Sequence, residues 1–342
     1  MLRTIFARRP GNLRRGWPFA LAFSAGLGIA SPQVAAQANP ATEYPSKPIR
    51  VILGFAAGSA TDILARVIAT PLSEQLGQQL VIDNRPGAYS TIGSAAVANA
   101  TPDGYTLLLG TNSGITIAPA GLLQSVPYDS FKDFTRIGQV ATVGFTLSGS
   151  KGLPANSAQE LVAHLQRNPG KASCAAANAN GRVLCEALNK ATKANIVTVL
   201  YKSGPQAITD LLGGQIELMF VDVPSAIARI QQNQLKSYAV VATERSEVIP
   251  QLPIARDVGL SELPPLIGWY GLFGPADLPA GVAAKLSRAL EVVLAQPKVR
   301  QQIIAAGFEP AFLSPERLLP RMRSDYDDWK RLLTEFKIEP ER

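Results

Sequence analysis

The segment GFAAGSATDILARVIA (residues 54–69) joins an apolar strand to an amphipathic helix through a turn of very small residues. Small residues allow a ligand to approach the backbone amides, and the start of a helix presents unpaired N–H groups. The turn therefore suits an anion without a cationic side chain. A strand-to-helix turn with a good N-cap accounts for the same residues. After the turn, apolar residues recur at helical spacing: Ile63, Leu64, Val67, Ile68 and Leu72.

The rest of the chain repeats this alternation of short apolar runs with amphipathic stretches. Strands are predicted at 49–55, 79–82, 105–110, 133–147, 171–176, 195–201, 215–222, 235–243 and 268–275. Further helices are predicted at 157–168, 182–192, 205–213, 280–295 and 298–306, with a last one capped by Ser314. Such an alternation predicts an α/β fold with largely parallel sheets.

The N-terminus has the composition of a secretory signal peptide. Five arginines precede an apolar stretch from Trp17 to Ile29, and Val34-Ala35-Ala36 supplies small residues for cleavage. We expect residues 1–36 to be removed during export by the Sec route, with twin-arginine export as the alternative that Arg14-Arg15 suggests. No later segment has transmembrane length, so we expect a soluble protein in the periplasm.

Removal of that segment changes the charge balance. The full chain has 33 Lys and Arg against 26 Asp and Glu, and the signal segment contains five of the arginines. The mature chain then has 28 basic and 26 acidic residues, a net charge of +2. This nearly neutral balance gives no support for nucleic-acid binding.

Two cysteines follow the signal segment, Cys174 and Cys185. An oxidising compartment favours a disulfide between them, and a strand end followed by a helix allows the geometry. Two small buried thiols are the alternative reading of the same residues.

The residues that most enzymes and metal sites need are scarce. His164 is the single histidine of the chain, and we expect it on the surface of a helix. A Ser–His–Asp triad or a histidine-based metal site would have to use that residue. The sequence also lacks G-x-S-x-G, Walker and G-x-G-x-x-G motifs. We therefore expect no catalytic residue, no metal and no cofactor.

Small, hydroxyl-bearing and amide-bearing residues instead recur where successive predicted strands end. In α/β sheets, ligands bind in the crevice outside those carboxyl ends, so five such clusters favour a cleft for a polar small molecule. The clusters are Ser59 and Thr61; Thr111, Asn112 and Ser113; Asn178 and Asn180; Tyr201 and Ser203; and Asp222.

The sequence resembles the Bug-type receptors of tripartite tricarboxylate transporters from about Tyr44 to the last helix. The segments that carry the resemblance are YPSKPIRVILGFAAGSATDILAR (44–66), VIDNRPGAYSTIGS (81–94), TPDGYTLLLGT (101–111), DLLGGQIELMF (210–220) and GWYGLFGPADLP (268–279). The resemblance implies a periplasmic binding protein of two α/β lobes, similar to the type II fold, that closes on a small carboxylate. It places lobe 1 at 43–141 plus 270–342 and lobe 2 at 142–269.

The resemblance also implies the ligand-binding residues. The loop at 57–62 matches the ligand loop of the family, and the other matching positions line the cleft. They are Ala57, Ser59, Ala60, Thr61, Asn112, Ser113, Asn178, Tyr201 and Asp222. The chain departs from the family where Ala56-Ala57-Gly58-Ser59 replaces Pro-Pro-Gly-Gly, Tyr89-Ser90 replaces two glycines, Cys174 replaces a small hydroxyl residue and Asp222 replaces asparagine.

We expect a monomeric solute receptor that passes a small carboxylate or amino acid to membrane transporter subunits. An exported enzyme on the same two-lobed scaffold and a sensor for a membrane kinase are the alternatives. Asp222 has two readings, as the cap of a helix near Pro224 or as a ligand contact. In the second case it favours an amino acid, an amide or a monocarboxylate over a citrate-like ligand, because a buried carboxylate repels a second anion.

Overall fold

The computed structural model describes residues 44–246 and 248–342 of the 342-residue chain. The expected signal segment 1–36 lies outside the described residues. Strands and helices alternate along the described chain, and the strands form two sheets. This mixed α/β architecture agrees with the predicted fold class.

The first sheet has six strands in the order β11-β4-β10-β3-β1-β2. Their bounds are β1 Ile49–Leu53, β2 Leu80–Asn84, β3 Thr106–Thr111, β4 Phe134–Val143, β10 Gly268–Pro275 and β11 Glu309–Leu313. β1 pairs parallel with β2 and β3, so the carboxyl ends of these three strands lie at one edge of the sheet.

The second sheet has five strands in the order β7-β6-β8-β5-β9. Their bounds are β5 Phe145–Gly149, β6 Ser173–Ala176, β7 Val197–Leu200, β8 Leu218–Asp222 and β9 Lys236–Val241. β6 pairs parallel with β7 and β8, which again brings three carboxyl ends to one edge.

Nine α-helices connect the strands of the described chain. They are α1 Ala60–Leu76, α2 Thr91–Ala98, α3 Ala158–Arg167, α4 Ala179–Thr192, α5 Gly204–Leu212, α6 Val223–Gln231, α7 Ala280–Ala295, α8 Pro297–Ala305 and α9 Pro315–Glu335. A wide-turn helix of the π type covers Ser113–Leu122, and short 3₁₀ turns cover Ala88–Ser90 and Ala255–Val258.

The prediction of largely parallel sheets is wrong. β10 runs antiparallel to both β3 and β4, and β11 runs antiparallel to β4. In the second sheet, β5 runs antiparallel to β8 and β9. An apolar run shows that a strand is buried, whereas its direction depends on which neighbour it reaches after the connecting segment.

The chain passes from the first sheet to the second between β4 and β5. The apolar run at 133–147, predicted as continuous strand, is divided there by Gly144, and its two parts belong to different sheets. The chain returns to the first sheet through residues 242–267, which precede β10. Val143, Phe145 and Gly268 therefore lie where the chain crosses between the sheets.

The helices pack against the sheets through apolar stripes. In α9, the side chains of Leu318, Met322, Trp329 and Leu333 are buried and form an apolar stripe that belongs to the core. Cys174 in β6 and Cys185 in α4 are fully buried and joined by a disulfide, with their Cα atoms 5.9 Å apart. The bond ties α4 to the strand that precedes it.

Candidate functional site

A small cavity, here called the inner cavity, lies at the carboxyl ends of the parallel strands of both sheets. Its volume is about 40 Å³. It receives side chains from the segments after β1, β3, β6 and β8 and from both crossing segments. The lining residues are Phe55, Ser59, Ala60, Thr61, Thr111, Asn112, Ser113, Val143, Phe145, Ala177, Asn178, Asn180, Gly204, Asp222, Ser225, Gly268 and Tyr270.

The turn before α1 is held in place by Asp62. This buried carboxylate accepts hydrogen bonds from Arg66 Nε (2.9 Å) and Nη2 (3.0 Å) and from the backbone N–H of Gly58 (3.0 Å). Ser59 caps the helix, because its hydroxyl accepts a hydrogen bond from the N–H of Asp62. Asp62 thus fixes the backbone of the turn without lining the inner cavity itself.

The ionisation of Asp62 follows from these partners. Burial by itself disfavours the charged carboxylate, but the hydrogen bonds from Arg66 and Gly58 outweigh it and hold the pKa of Asp62 below its usual value. Asp62 is therefore a carboxylate at neutral pH, and the charge belongs to the scaffold of the turn.

Four α-helices begin at the inner cavity, and each is capped by a short polar side chain. Ser59 caps α1, Asn178 caps α4, Ser203 caps α5 and Asp222 caps α6. Each helix start carries about half a positive charge, from N–H groups without partners inside the helix. Their convergence makes the inner cavity favourable for an anion such as a carboxylate.

Asp222 is the one charged residue among the described residues that line the inner cavity. Its carboxylate accepts a hydrogen bond from the N–H of Ser225 at 3.1 Å. Burial raises the pKa of Asp222, although the Ser225 hydrogen bonds and the Arg229 charge oppose the rise. Asp222 therefore caps α6, as the first reading has it, and it also borders the inner cavity, while the ligand contact of the second reading stays a prediction.

Tyr270 lies beside Asp222 on the wall of the inner cavity. Burial, together with the charge of Asp222, raises the pKa of the Tyr270 hydroxyl well above its usual value, and a hydrogen bond with Thr61 opposes the rise. The hydroxyl stays protonated at neutral pH. Tyr270 and Thr61 thus place two hydroxyl groups on the same side of the cavity.

Two buried amides meet across the inner cavity. Asn112 Nδ2 donates to Asn180 Oδ1 at 3.1 Å, and Asn180 Nδ2 donates to Asn112 Oδ1 at 3.2 Å. Asn112 follows β3 of the first sheet, and Asn180 lies in α4, which follows β6 of the second. The pair therefore joins the two halves of the cavity wall directly.

Thr111 supplies a polar group without a partner. Its hydroxyl is buried, and it has no hydrogen-bond partner within the part of the chain that the structure describes. A buried polar group without a partner is costly, and Thr111 lines the inner cavity. A bound ligand that accepts or donates a hydrogen bond there would satisfy it.

Most of the residues that the sequence assigned to the ligand lie at the inner cavity. The structure brings together Ser59, Ala60, Thr61, Asn112, Ser113, Asn178 and Asp222. Ala57 is exposed and lines neither this cavity nor the next one. Tyr201 lines a second, outer cavity, and its hydroxyl donates to Asp210 at 2.7 Å. Tyr201 is therefore not among the residues that line the inner cavity.

The sequence analysis did not predict eight of the lining residues: Phe55, Val143, Phe145, Ala177, Gly204, Ser225, Gly268 and Tyr270. Phe145 and the segment from Gly268 to Tyr270 lie where the chain crosses between the sheets. The expected boundary between the lobes, near residue 269, could have indicated these residues. A segment that crosses between two lobes also borders the space between them. Its apolar composition indicated only a buried strand.

Residues 44–246 and 248–342 contain no group of three or more His, Cys, Asp or Glu side chains placed to hold a metal ion. Within the same ranges, every helix is too short or too polar to cross a bilayer. His164 lies in α3 with its ring beside the Asn168 amide, and it is not among the residues that line the inner cavity.

Comparison with known proteins gives the family. Residues 64–338 match the model of the tripartite tricarboxylate transporter family receptor, TctC. A protein from Agrobacterium vitis, "UPF0065 protein in the TAR-I ttuE-ttuC' intergenic region", is 33% identical over 301 residues, which cover 85% of each chain.

Solved structures agree in fold. The periplasmic binding protein BugD is 31% identical, with a TM-score of 0.81, and the match covers 87% of this chain and all of BugD. Rpa4515 of R. palustris, solved with adipate, is 26% identical, with a TM-score of 0.84 and the same 87% coverage of this chain. With its two sheets and the cavity at their strand ends, the chain belongs to the tripartite tricarboxylate transporter receptor family and has the two-lobed α/β fold of a periplasmic binding protein.

Proposed function

We propose that this protein is a periplasmic solute receptor that binds a small organic carboxylate in the inner cavity. It delivers that carboxylate to the membrane subunits of a tripartite transporter. The observation that carries the proposal is the convergence of four helix starts on one cavity whose described lining includes no cationic side chain. Backbone N–H groups and hydroxyls hold the carboxylate in place of a cation.

In this proposal, two lobes close on the ligand. The first consists of residues 43–141 and 270–342, and the second consists of residues 142–269. Ser59, Thr61 and Ser113 contribute from the first lobe, and Asn178 and Asp222 from the second. The amide pair of Asn112 and Asn180 holds the lobes together over the ligand. The family relationship supports this arrangement, as does the relative Rpa4515, which was solved with adipate.

Binding of a carboxylate is tested by thermal shift and calorimetry on the purified mature protein. The panel contains mono-, di- and tricarboxylates and amino acids, each with and without a chelator. A ligand that binds the native state raises the melting temperature by mass action. We expect at least one carboxylate to bind whether or not the chelator is present. Binding that disappears with the chelator and returns with zinc or calcium would contradict the proposal.

Delivery to a transporter needs a separate experiment. In the source bacterium, deletion of the coding gene should abolish uptake of the bound carboxylate, and the wild-type gene should restore it. Growth and uptake that are unchanged, together with turnover of the ligand by the purified protein, would instead favour an exported enzyme.

A further inference from the structure

An outer cavity of about 510 Å³ adjoins the inner one. The two cavities share Phe55 and Ala177 as lining residues, so a ligand that leaves the inner cavity past these side chains enters the outer one. The outer wall is formed by the loop at 86–90 on one side and by residues 200–202 on the other, with Glu341 beside them.

The volume of the inner cavity limits how much of a ligand it can hold. Holding one water molecule takes roughly 10–15 Å³ of cavity volume measured in this way. At about 40 Å³, the inner cavity has room for a group the size of one carboxylate. The remainder of any organic acid must therefore lie elsewhere, and the outer cavity is the adjoining space.

The outer wall is mainly apolar. Phe55, Pro86, Ala88 and Leu200 contribute carbon surface, and the Leu200 side chain is 49% exposed although it lies in a concave wall. Leaving a large apolar side chain half exposed forgoes part of the stabilisation that burial gives. An apolar group bound in the outer cavity would bury it.

The outer wall contains two charged side chains, Glu341 and Lys202. Glu341 forms an ion pair with Arg182 and accepts a hydrogen bond from the Tyr89 hydroxyl at 2.5 Å. Lys202 is exposed to solvent. With Glu341 occupied by two partners, the side chains of this wall that remain to meet a second carboxylate are the exposed Lys202 and Ser90, whose buried hydroxyl has no partner among the described residues.

The position of the Tyr89 ring in this wall is fixed by its loop. Gly87, with φ 143°, is followed by three residues in the left-handed region: Ala88 (φ 44°), Tyr89 (φ 55°) and Ser90 (φ 81°). Such conformations cost energy in residues with a side chain and persist only where the surroundings determine them. The bond from Tyr89 to Glu341 is one of those determinants.

We propose that the outer cavity binds the apolar part, an aliphatic chain or an aromatic ring, of a monocarboxylate whose carboxylate group lies in the inner cavity. This inference rests on the proposed function, because it takes the carboxylate to be held at the helix starts. It assigns the substrate class as acids with one carboxylate and an apolar body, in preference to compact di- and tricarboxylates.

The test compares propanoate, hexanoate and adipate by calorimetry. Propanoate has little beyond the carboxylate, hexanoate adds three methylene groups, and adipate carries a second carboxylate at the far end of the same chain. We expect hexanoate to bind about tenfold more tightly than propanoate and at least tenfold more tightly than adipate. The same series is repeated with Leu200→Ser.

Leu212→Ser is the matched control. Leu212 is 40% exposed, ends α5, and lies outside the described lining of both cavities. Leu200→Ser should weaken hexanoate binding about fivefold and leave propanoate unchanged, whereas Leu212→Ser should change neither. Because both leucines are partly exposed, neither substitution creates a buried polar group.

The outcomes separate this inference from the proposed function. Equal affinities for propanoate and hexanoate, or no effect of Leu200→Ser, would overturn the inference and leave a carboxylate receptor. So would adipate binding more tightly than hexanoate. If none of the three acids and no other carboxylate of the panel binds, the proposed function and the inference both fail.

Discussion

Asn112 and Asn180, 68 residues apart in the chain, donate side-chain hydrogen bonds to each other at 3.1 Å and 3.2 Å. Both side chains are almost completely buried. One follows a strand of the first sheet and the other lies in a helix after a strand of the second. The reciprocal pair satisfies a donor and an acceptor on each side, so neither amide could be removed without leaving the other unpaired.

The first prediction concerns this pair. Asn180→Ala should destabilise the protein by about 1–3 kcal/mol, because it leaves the Asn112 amide buried without its partner. Asn112→Ala should cost a similar amount, and the double variant should cost clearly less than their sum. Urea unfolding of the four proteins measures the coupling. Single effects that simply add would show that the two amides do not depend on each other.

The second prediction concerns Thr61. Thr61→Val keeps the shape of the side chain and removes the hydroxyl that faces the inner cavity. We expect carboxylate binding to weaken by about 1–2 kcal/mol, and the free energy of unfolding, measured separately in urea, to fall by about 1 kcal/mol because the buried Tyr270 hydroxyl loses its partner. Thr334→Val on the exposed face of α9 is the control and should leave the affinity unchanged. If calorimetry gives the wild-type affinity for Thr61→Val, the turn before α1 has a structural role alone.

The third prediction concerns Asp222 and ligand choice. In its ionised form, Asp222 repels every carboxylate close to the inner cavity, so a compact dicarboxylate with both groups near it should bind wild type less tightly than a monocarboxylate or an amino acid does. Asp222→Asn should improve dicarboxylate binding severalfold. Asparagine is also a good N-cap, so the start of α6 should remain intact. Circular dichroism checks the fold. Citrate as the tightest ligand of both proteins would contradict the role of Asp222.

The fourth prediction concerns the pH dependence of stability. The pKa of Asp62 is lower in the folded protein than its unfolded value of 3.8. The stabilisation by the Asp62 carboxylate is therefore fully present above the unfolded pKa of 3.8. It is lost as the pH falls through the lower pKa of the folded protein. Asp62→Asn should destabilise the protein by about 1–3 kcal/mol at pH 7, because it breaks a charged hydrogen-bond network.

The comparison for Asp62 is Asp83→Asn. Asp83 pairs with Arg85, but the Asp83 side chain is 30% exposed, against 5% for Asp62. Its loss should cost less than about 1 kcal/mol. The destabilisation of Asp62→Asn should also shrink below pH 4. A difference from wild type that stays constant from pH 7 to pH 3 would show that charge is not involved.

The fifth prediction concerns Cys174 and Cys185. Replacing both with alanine should lower the free energy of unfolding by about 2–4 kcal/mol, because the unfolded chain loses a cross-link. Reduction of the wild-type protein should have a similar effect, and the double variant should not respond to reductant. Free thiols in protein purified from the periplasm would support the alternative of two buried cysteines.

Local patterns in the sequence determined the local structure. The spacing of Leu64, Ile68 and Leu72 predicts the buried face of α1, and Ser157 with Glu160 predicts the start of α3. Both appear in the structure, where Ser157 accepts a hydrogen bond from the Glu160 N–H. Caps and apolar periodicity depend on residues a few positions apart, so a single sequence contains the necessary information.

Tertiary structure alone decided which side chains meet. The direction of β5 and β10, the placement of Tyr201 at the outer cavity and the pairing of Asn112 with Asn180 all depend on sheet topology. Tyr89, 252 residues before Glu341, bonds to it only because the end of the chain returns to the loop at 86–90. Such contacts join residues far apart in the chain, and no local propensity encodes them, because they depend on how whole elements pack.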